Sequence, residues 1–138
     1  MAVKHALHYN VEPKFGFGPT TVNDNSVTST AIIDCQGVAD VEFVFVTGTL
    51  ADADATFAVT IEHGDQANLS DAVTVEALDL LGTTEGASFN YADDNKVKRI
   101  GYRPAKRYVR AKVTPSNNSA AASYACVVLV NPLRVPVP

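Results

Sequence analysis

The chain is 138 residues long, with 46% apolar residues, 19% charged residues and a net charge of −4 at pH 7. This composition is typical of one folded domain that buries its own core, and two cysteines are too few for a disulfide framework. No apolar run approaches the roughly 20 residues that cross a bilayer, and the first residues lack the apolar stretch of a secretory signal. We therefore expect no membrane partner and synthesis in a cytoplasm.

Charge is divided unevenly along the chain. No lysine or arginine occurs between Phe15 and Asn95, and the segment 34–94 contains thirteen acidic residues. The segment 96–112 then holds eight of the eleven basic residues. Such a division can be neutralised within the fold or between neighbouring copies of it.

The predicted elements begin with an extended arm. Residues 1–26 contain two prolines and the Gly-rich stretch FGFGP, without helical or strand periodicity. Short runs of β-branched and aromatic residues follow, with turn residues between them at about ten-residue spacing. Residues 132–138 are rich in proline, which cannot donate to a strand ladder, and predict an extended tail. The predicted strands are 27–34, 41–46, 56–62, 72–81 (also compatible with a short helix), 107–114 and 124–130.

Two of these strands alternate apolar and polar residues, so each should bury one face. The run 124–130 is almost continuously apolar, as in a central strand that is covered on both faces. The pattern indicates an all-β fold: a single-domain antiparallel β-sandwich or jelly roll over residues 27–131, with extended N- and C-terminal arms. The residues expected to face the core are Phe57, Val59 and Ile61 in the first alternating strand and Val109, Ala111 and Val113 in the second.

Both predicted arms carry apolar side chains. Phe15 and Phe17 lie in the N-terminal arm, and Leu133 and Val135 lie in the C-terminal tail. Apolar arms are expected to lie against this domain or against a neighbour rather than in solvent. These four residues are therefore candidates for a protein interface.

The basic segment could in principle bind nucleic acid. Lysines and arginines neutralise phosphates, and Tyr102 and Tyr108 could stack on bases. However, the whole domain is acidic, with an isoelectric point near 5.2. Arg110 and Lys112 also share one strand face with Tyr108, which suits pairing with acidic residues on a neighbouring strand. We expect no nucleic-acid partner.

Metal and cofactor sites find little support in the sequence. The run Asp52-Ala53-Asp54 opens like a calcium loop, but the sixth position is Phe57 and the twelfth is His63, so an EF-hand is excluded. Asp93 and its neighbours are the residues that a turn selects. Cys35 and Cys126 lie in apolar contexts and are expected to be buried thiols, although a disulfide stays open. We predict no metal and no cofactor.

Catalytic motifs are missing as well. Two of the three histidines, His5 and His8, lie in the predicted arm, and His63 ends a strand. There is no Gly-x-Ser-x-Gly, no HExxH and no Gly-rich phosphate loop. We therefore expect a protein that is not an enzyme, without catalytic residues.

The basic segment carries a family resemblance. Residues 98–102 (KRIGY), 106–110 (KRYVR) and 113–114 (VT) resemble a family of small tailed-bacteriophage virion proteins that has a GY-x-KRYVR strand. Other segments also match that family. Those before the GY-x-KRYVR strand are residues 57–65 and 79–82, and those after it are residues 119–122, 126–130 and 132–134. The likeness covers about residues 30–136. The chain departs from the pattern at Pro104 and Ala105, where the family often has a small flexible residue.

The resemblance implies a role in a virion. Members look like auxiliary head proteins, which decorate or cement the shell or form the base of a spike. It implies a structural protein on the capsid surface that binds the major capsid protein or other virion subunits and self-associates as a dimer or trimer. The candidate interface residues on the basic strand are Arg103, Arg107, Tyr108, Arg110 and Lys112.

A second virion role stays open. A tail or head-spike component would bind a glycan or receptor through exposed loop aromatics. Phe89 and Tyr91 are the loop candidates for that role, and both could instead be core residues at a strand end.

Overall fold

The structure, a computed structural model, describes residues 5–133. Nearly all of its regular elements are strands, as the sequence predicts. The strands are β1 (Glu12–Val22), β2 (Thr28–Ser29), β3 (Ile33–Asp34), β4 (Val38–Leu50), β5 (Thr56–Gly64), β6 (Val73–Thr74), β7 (Leu80–Leu81), β8 (Phe89–Asn90), β9 (Val97–Tyr102), β10 (Tyr108–Ser116) and β11 (Ala122–Pro132). The helices are α1 (Ala6–Asn10) and α2 (Thr84–Ala87), with 3-10 turns at Ala77–Asp79 and Tyr91–Asp93.

The strands form two antiparallel sheets that pack face to face. The five-stranded sheet has the order β1-β11-β4-β9-β7, and the six-stranded sheet has the order β2-β10-β5-β6, with β3 beside β10 and β8 beside β5. From β4 onward the long strands alternate between the sheets along the chain, with β4, β9 and β11 in the five-stranded sheet and β5 and β10 in the other. The predicted all-β sandwich is confirmed.

The core lies between the sheets and follows the predicted alternation. Phe43 and Phe45 of β4 and Val128 of β11 face it from the five-stranded sheet, and all three are fully buried. The inward residues of β5 and β10 face it from the other side, and the six core residues predicted for these strands are all buried: Phe57, Val59, Ile61, Val109, Ala111 and Val113.

An aromatic cluster joins the two sheets. The Tyr124 ring makes edge contacts with Phe17 and Phe57, with centroids 5.9 and 5.8 Å apart, and with Phe89 at 5.4 Å. Phe57 and Phe89 stack at 5.2 Å. Pairs of this kind contribute about 0.5–1.5 kcal/mol each beyond the area that they bury. The cluster therefore fixes β1 and β8 to the central strands.

The predicted N-terminal arm needs correction. Over Glu12–Val22 it is β1, an edge strand that pairs with β11 from Glu12↔Val130 to Val22↔Ala122. Proline is tolerated on an edge strand, and register shifts fall at the Gly-rich stretch, so the composition suited a bulged edge strand as well as an arm. Phe17 is 8% exposed and belongs to the core of its own domain, not to an interface.

Other boundaries differ from the prediction in detail. The predicted strand 27–34 is two short strands, β2 and β3, that both pair with β10. The predicted strand 72–81 is β6, a 3-10 turn and β7. The run 41–46 is the centre of the longer β4, and β9 was not predicted as a strand. Of the predicted C-terminal tail, Pro132 ends β11, and residues 134–138, with Val135, lie outside the described residues.

Both thiols are buried, and neither forms a disulfide. Burial raises the pKa of Cys35 and of Cys126 to about 12. Within residues 5–133, no helix is long and apolar enough to cross a bilayer.

Candidate interaction surfaces

The outer face of the six-stranded sheet carries the predicted basic residues. β10 pairs with β5 so that Arg110 lies opposite Glu62 and Lys112 opposite Thr60. The Nε of Arg110 donates to the Glu62 carboxylate, and Lys112 Nζ lies 3.3 Å from the same Oε1. These contacts confirm the cross-strand pairing with an acidic neighbour that the alternation suggested.

Arg107 has an acidic partner on the same face. Its Nε and NH2 groups donate to the two carboxylate oxygens of Asp34, each at 3.0 Å, and NH2 also donates to Gln36 at 2.8 Å. This guanidinium holds the pKa of Asp34 below its usual value. The Arg107 Cζ also lies 5.1 Å from the centre of the Tyr108 ring. The basic strand is thus neutralised largely by its own chain.

Arg103 differs from the rest of the basic set. It is exposed, and it follows β9 in the β9–β10 loop. Its backbone N–H donates to the Asp79 carbonyl at 2.8 Å, which ties the loop to the 3-10 turn before β7. Among residues 5–133 the Arg103 side chain forms no ion pair, so it is available to a partner.

The middle of the outer face of the five-stranded sheet is largely apolar, with polar pairs at its two ends (Thr21 with Ser123, and Asp40 with Asn131), and we refer to this middle part as the apolar face. One cross-strand row runs over four strands, through Phe15, Val127, Val44 and Arg99. Phe15 lies at one end of this row, beside Val127, and is 70% exposed. The other two rows are Ala125, Val46 and Val97, and Pro13, Leu129, Glu42, Gly101 and Leu81.

A groove lies at one end of the apolar face. It has a volume of about 630 Å³ and lies between α1, β4 and the end of β11. Leu7 of α1 and Leu133 stand at its sides and are both largely exposed, while Val44 and Leu129 belong to its lining. Of the residues predicted for an interface, Phe15 and Leu133 therefore lie on or beside the apolar face.

Two charged residues lie within these rows, Glu42 on the central strand β4 and Arg99 on β9. Arg99 is 78% exposed on its side chain, and its NH1 lies 3.9 Å from Oε2 of Glu42. Burial raises the pKa of Glu42, and the Arg99 charge acts in the opposite direction. A pair this long and this exposed contributes little to stability. Arg99 is therefore free to pair with a carboxylate on another molecule.

The sequence did contain a signal for this surface. The continuous apolar run 124–130 predicted a strand that is covered on both faces. β11 is central, and its inner face is covered by the core. Its outer residues Val127 and Leu129 have no layer over them among residues 5–133. The run 124–130 alone does not show that β1, β4 and β9 extend the same apolar surface, because this depends on how the strands pair.

The acidic turn residues Asp52 and Asp93 form their contacts within the domain. The Asp52 carboxylate accepts from the backbone of Asp54 and from both the N–H and the hydroxyl of Ser119. Asp93 accepts from the Asn90 N–H and pairs with Lys98 at 3.3 Å. Within residues 5–133, no three His, Cys, Asp or Glu side chains group as a metal site.

The remaining candidates are dispersed. His5 and His8 lie at the surface around α1, while His63 is buried and bonds to Tyr102. Phe89 is a core residue, and Tyr91 is about half exposed on a 3-10 turn. The structure thus separates the two aromatic residues that a glycan-binding loop would need together.

Comparisons with known proteins give fold likeness only. No family model matches the sequence, and no curated protein matches it. The chain is similar to a Clostridium thermocellum structure of the CBM22-1 and GH10 modules of xylanase 10B with xylohexaose, at 11% identity and a TM-score of 0.49, over 89% of this chain and 28% of that one. It is also similar to the enzymatically active domain of bacteriophage CBA120 tailspike protein 4, at 10% identity and a TM-score of 0.44, over 89% of this chain and 19% of that one. At these values, neither similarity bears on function.

Proposed function

We propose that the protein is a non-enzymatic structural subunit of a bacteriophage virion, a capsid decoration or cement protein that binds the shell through its apolar face. The observation that carries the proposal is the apolar face itself, which extends across the five-stranded sheet in three rows. Contiguous exposed apolar surface is a feature of sites that contact another molecule.

The energetics suit a repeated weak contact. Phe15, Val46 and Val97 are 70%, 44% and 65% exposed, so covering them would contribute about 2 kcal/mol for the phenylalanine and about 1 kcal/mol for each valine. A single contact of this kind is modest after the cost of association. A decoration subunit repeats over a lattice, and a shell site built from several such contacts gains by multivalency.

The chemistry of the face also describes its occupant. Its centre requires an apolar protein surface, and Arg99 on β9 requires a carboxylate on that surface. The basic strand on the opposite sheet already has Asp34 and Glu62 as partners. We therefore infer that the occupant is a neighbouring shell subunit, and that its attachment depends only weakly on ionic strength, because apolar burial is not screened by salt.

Co-sedimentation with purified shells that lack the protein tests the proposal. Val97→Glu places a charge on the apolar face, and Ala58→Glu places the same charge at an exposed position of β5 on the opposite sheet. The proposal predicts that wild type and Ala58→Glu sediment with the shells, and that Val97→Glu loses at least tenfold in affinity. Equal binding by Val97→Glu would overturn it.

A second copy of the chain is the other occupant to distinguish. Sedimentation equilibrium of the free protein measures self-association over a range of concentrations. A dimer or trimer that Val97→Glu abolishes, together with unchanged shell binding, would assign the apolar face to self-association and refute the proposed docking on the shell.

A further inference from the structure

A buried pair links the ends of two strands in different sheets. His63, near the end of β5, is 6% exposed, and Tyr102, at the end of β9, is fully buried. The Nδ1 atom of His63 lies 2.6 Å from the Tyr102 hydroxyl oxygen, and the rings meet edge to face with centroids 5.5 Å apart.

The hydroxyl group also holds the β9–β10 loop. Its oxygen accepts from the backbone N–H of Ala105 at 3.1 Å and of Lys106 at 3.0 Å. These two bonds use both lone pairs of the oxygen, so the hydroxyl proton is left to donate to His63 Nδ1. His63 must then be neutral, with its proton on Nε2.

We propose that His63 and Tyr102 form a proton-sensitive latch, which holds the β9–β10 loop while the imidazole is neutral and releases it when the imidazole is protonated. A protonated Nδ1 becomes a donor and needs a lone pair of the Tyr102 oxygen. The hydroxyl proton must then turn toward the Lys106 carbonyl, which lies at a long 3.4 Å. At least one of the two loop amides loses its acceptor.

Charged groups from each adjoining segment act on the latch. Burial is the largest influence and lowers the pKa of His63, and the Lys106 ammonium in the loop lowers it further. Asp65 after β5, and Asp79 and Glu76 before β7, act in the opposite direction. The Cys35 thiol near Tyr102 stays neutral because burial raises its pKa to about 12.

Release of the loop would affect three neighbouring segments. Lys106 Nζ lies 3.7 Å from the Asp65 carboxylate, the Arg107 carbonyl accepts from the Cys35 N–H at 2.6 Å, and the Arg103 N–H bonds to Asp79. The latch therefore controls how one end of the sandwich is held together. It does not depend on which molecule covers the apolar face.

Amide hydrogen exchange by NMR on the full chain tests the latch. Protection of Ala105 and Lys106 is followed from about pH 7.5 downward until the His63 ring shifts show a protonated imidazole, because burial lowers the pKa of His63 below the ordinary histidine value. Each rate is corrected for the intrinsic exchange rate. The expected result is a loss of about tenfold in the protection of these two amides once the imidazole is protonated, the equivalent of one ordinary hydrogen bond. Core amides such as that of Val113 should keep their protection.

Two variants make the result specific. His63→Asn places an uncharged acceptor near the position of Nδ1, so its loop protection should no longer depend on pH, whereas His8→Asn on the exposed α1 should behave like wild type. An unchanged pH dependence in His63→Asn would overturn the latch.

Ring nitrogen shifts of wild-type His63 give a test that needs no variant. The latch predicts an unprotonated Nδ1 at about pH 7.5 and one shared titration for the ring and the Ala105 and Lys106 amides. A proton on Nδ1 at this pH, or loop amides that do not follow the ring, would refute it.

Discussion

Val46 and Val97 lie directly opposite each other on β4 and β9, and both side chains point to solvent, 44% and 65% exposed. Directly opposite side chains in a sheet stabilise it through their mutual contact, but this pair leaves apolar surface in contact with water. On the other sheet, the centre of the outer face is polar and charged, with Arg110 opposite Glu62 and Lys112 opposite Thr60. This asymmetry between the two outer faces is the basis of the proposed docking.

Replacing Val97 by threonine should leave the free energy of unfolding almost unchanged and reduce the exposed apolar surface. The side chain is exposed and threonine keeps the β-branched shape, so the free energy of unfolding should change by no more than about 0.5 kcal/mol. Binding of a hydrophobic dye to the native protein should fall. A loss of several kcal/mol in urea unfolding would show that Val97 is part of the core.

Gly16 should be essential to the attachment of β1. A Cβ at this position would lie 2.5 Å from the Cys126 carbonyl oxygen and 3.0 Å from its sulfur. We predict that Gly16→Ala lowers the free energy of unfolding by about 1–3 kcal/mol, because the edge strand must move away from β11. Gly18→Ala is the matched control, since its Cβ would meet nothing closer than the Phe15 ring at 3.8 Å. Equal effects in urea denaturation would contradict the close approach.

Glu62 should stabilise the fold more than a typical surface carboxylate. It is half-buried and contacts both Arg110 and Lys112, so Glu62→Gln leaves two neighbouring cations without a counter-charge. We expect Glu62→Gln to lower the free energy of unfolding by about 1–2 kcal/mol. Glu12→Gln removes the ion pair between Glu12 and Lys14, whose side chains are both more exposed than that of Glu62. This variant should lower the free energy of unfolding by no more than about 0.5 kcal/mol. Thermal unfolding of both variants measures the difference, and a larger effect at Glu12 would contradict the prediction.

The buried thiols should make stability fall at alkaline pH. The pKa of each is about 12 in the folded chain against an ordinary value of 9.0. Between pH 9 and pH 12 the thiols of the unfolded chain lose their protons while those of the folded chain keep them. The free energy of unfolding is therefore unaffected by the thiols below pH 9 and falls as pH rises toward 12. Each thiol contributes a slope of about 1.4 kcal/mol per pH unit in that range.

Urea unfolding of the wild type and of Cys35→Ala at several alkaline pH values measures this slope. The variant should show a shallower decline, whatever its stability at neutral pH. The native thiols should also resist a disulfide reagent near neutral pH and react once the chain unfolds. Rapid labelling of the native protein would contradict the burial of both thiols.

The sequence predicted the parts of the fold that depend on local pattern. Alternation at Phe57, Val59 and Ile61 identified the buried face of β5, and the same pattern identified that of β10. Asp93 was predicted to be a turn residue, and its side chain does accept from the Asn90 N–H of its own turn. These features need no knowledge of which strands become neighbours.

What the sequence did not predict depends on contacts between distant segments. β1 was hidden by Pro13 and Pro19, which an edge strand tolerates once it pairs with β11. β9 was not predicted because Lys98 and Arg99 belong to a basic segment of the sequence, which does not have the apolar alternation of a strand. The apolar face exists only because register aligns residues from β1, β4, β9 and β11, and no local pattern gives that register.

Hydroxyl-radical footprinting of the protein, free and bound to shells, tests the central claim most directly. It compares two aromatic residues on opposite faces, Phe15 on the apolar face and Tyr108 on the basic strand. We predict that Phe15 and Val97 lose most of their reactivity on binding, while Tyr108 keeps its own. Protection of Tyr108 with unchanged reactivity at Phe15 and Val97 would show that the protein binds through the other sheet.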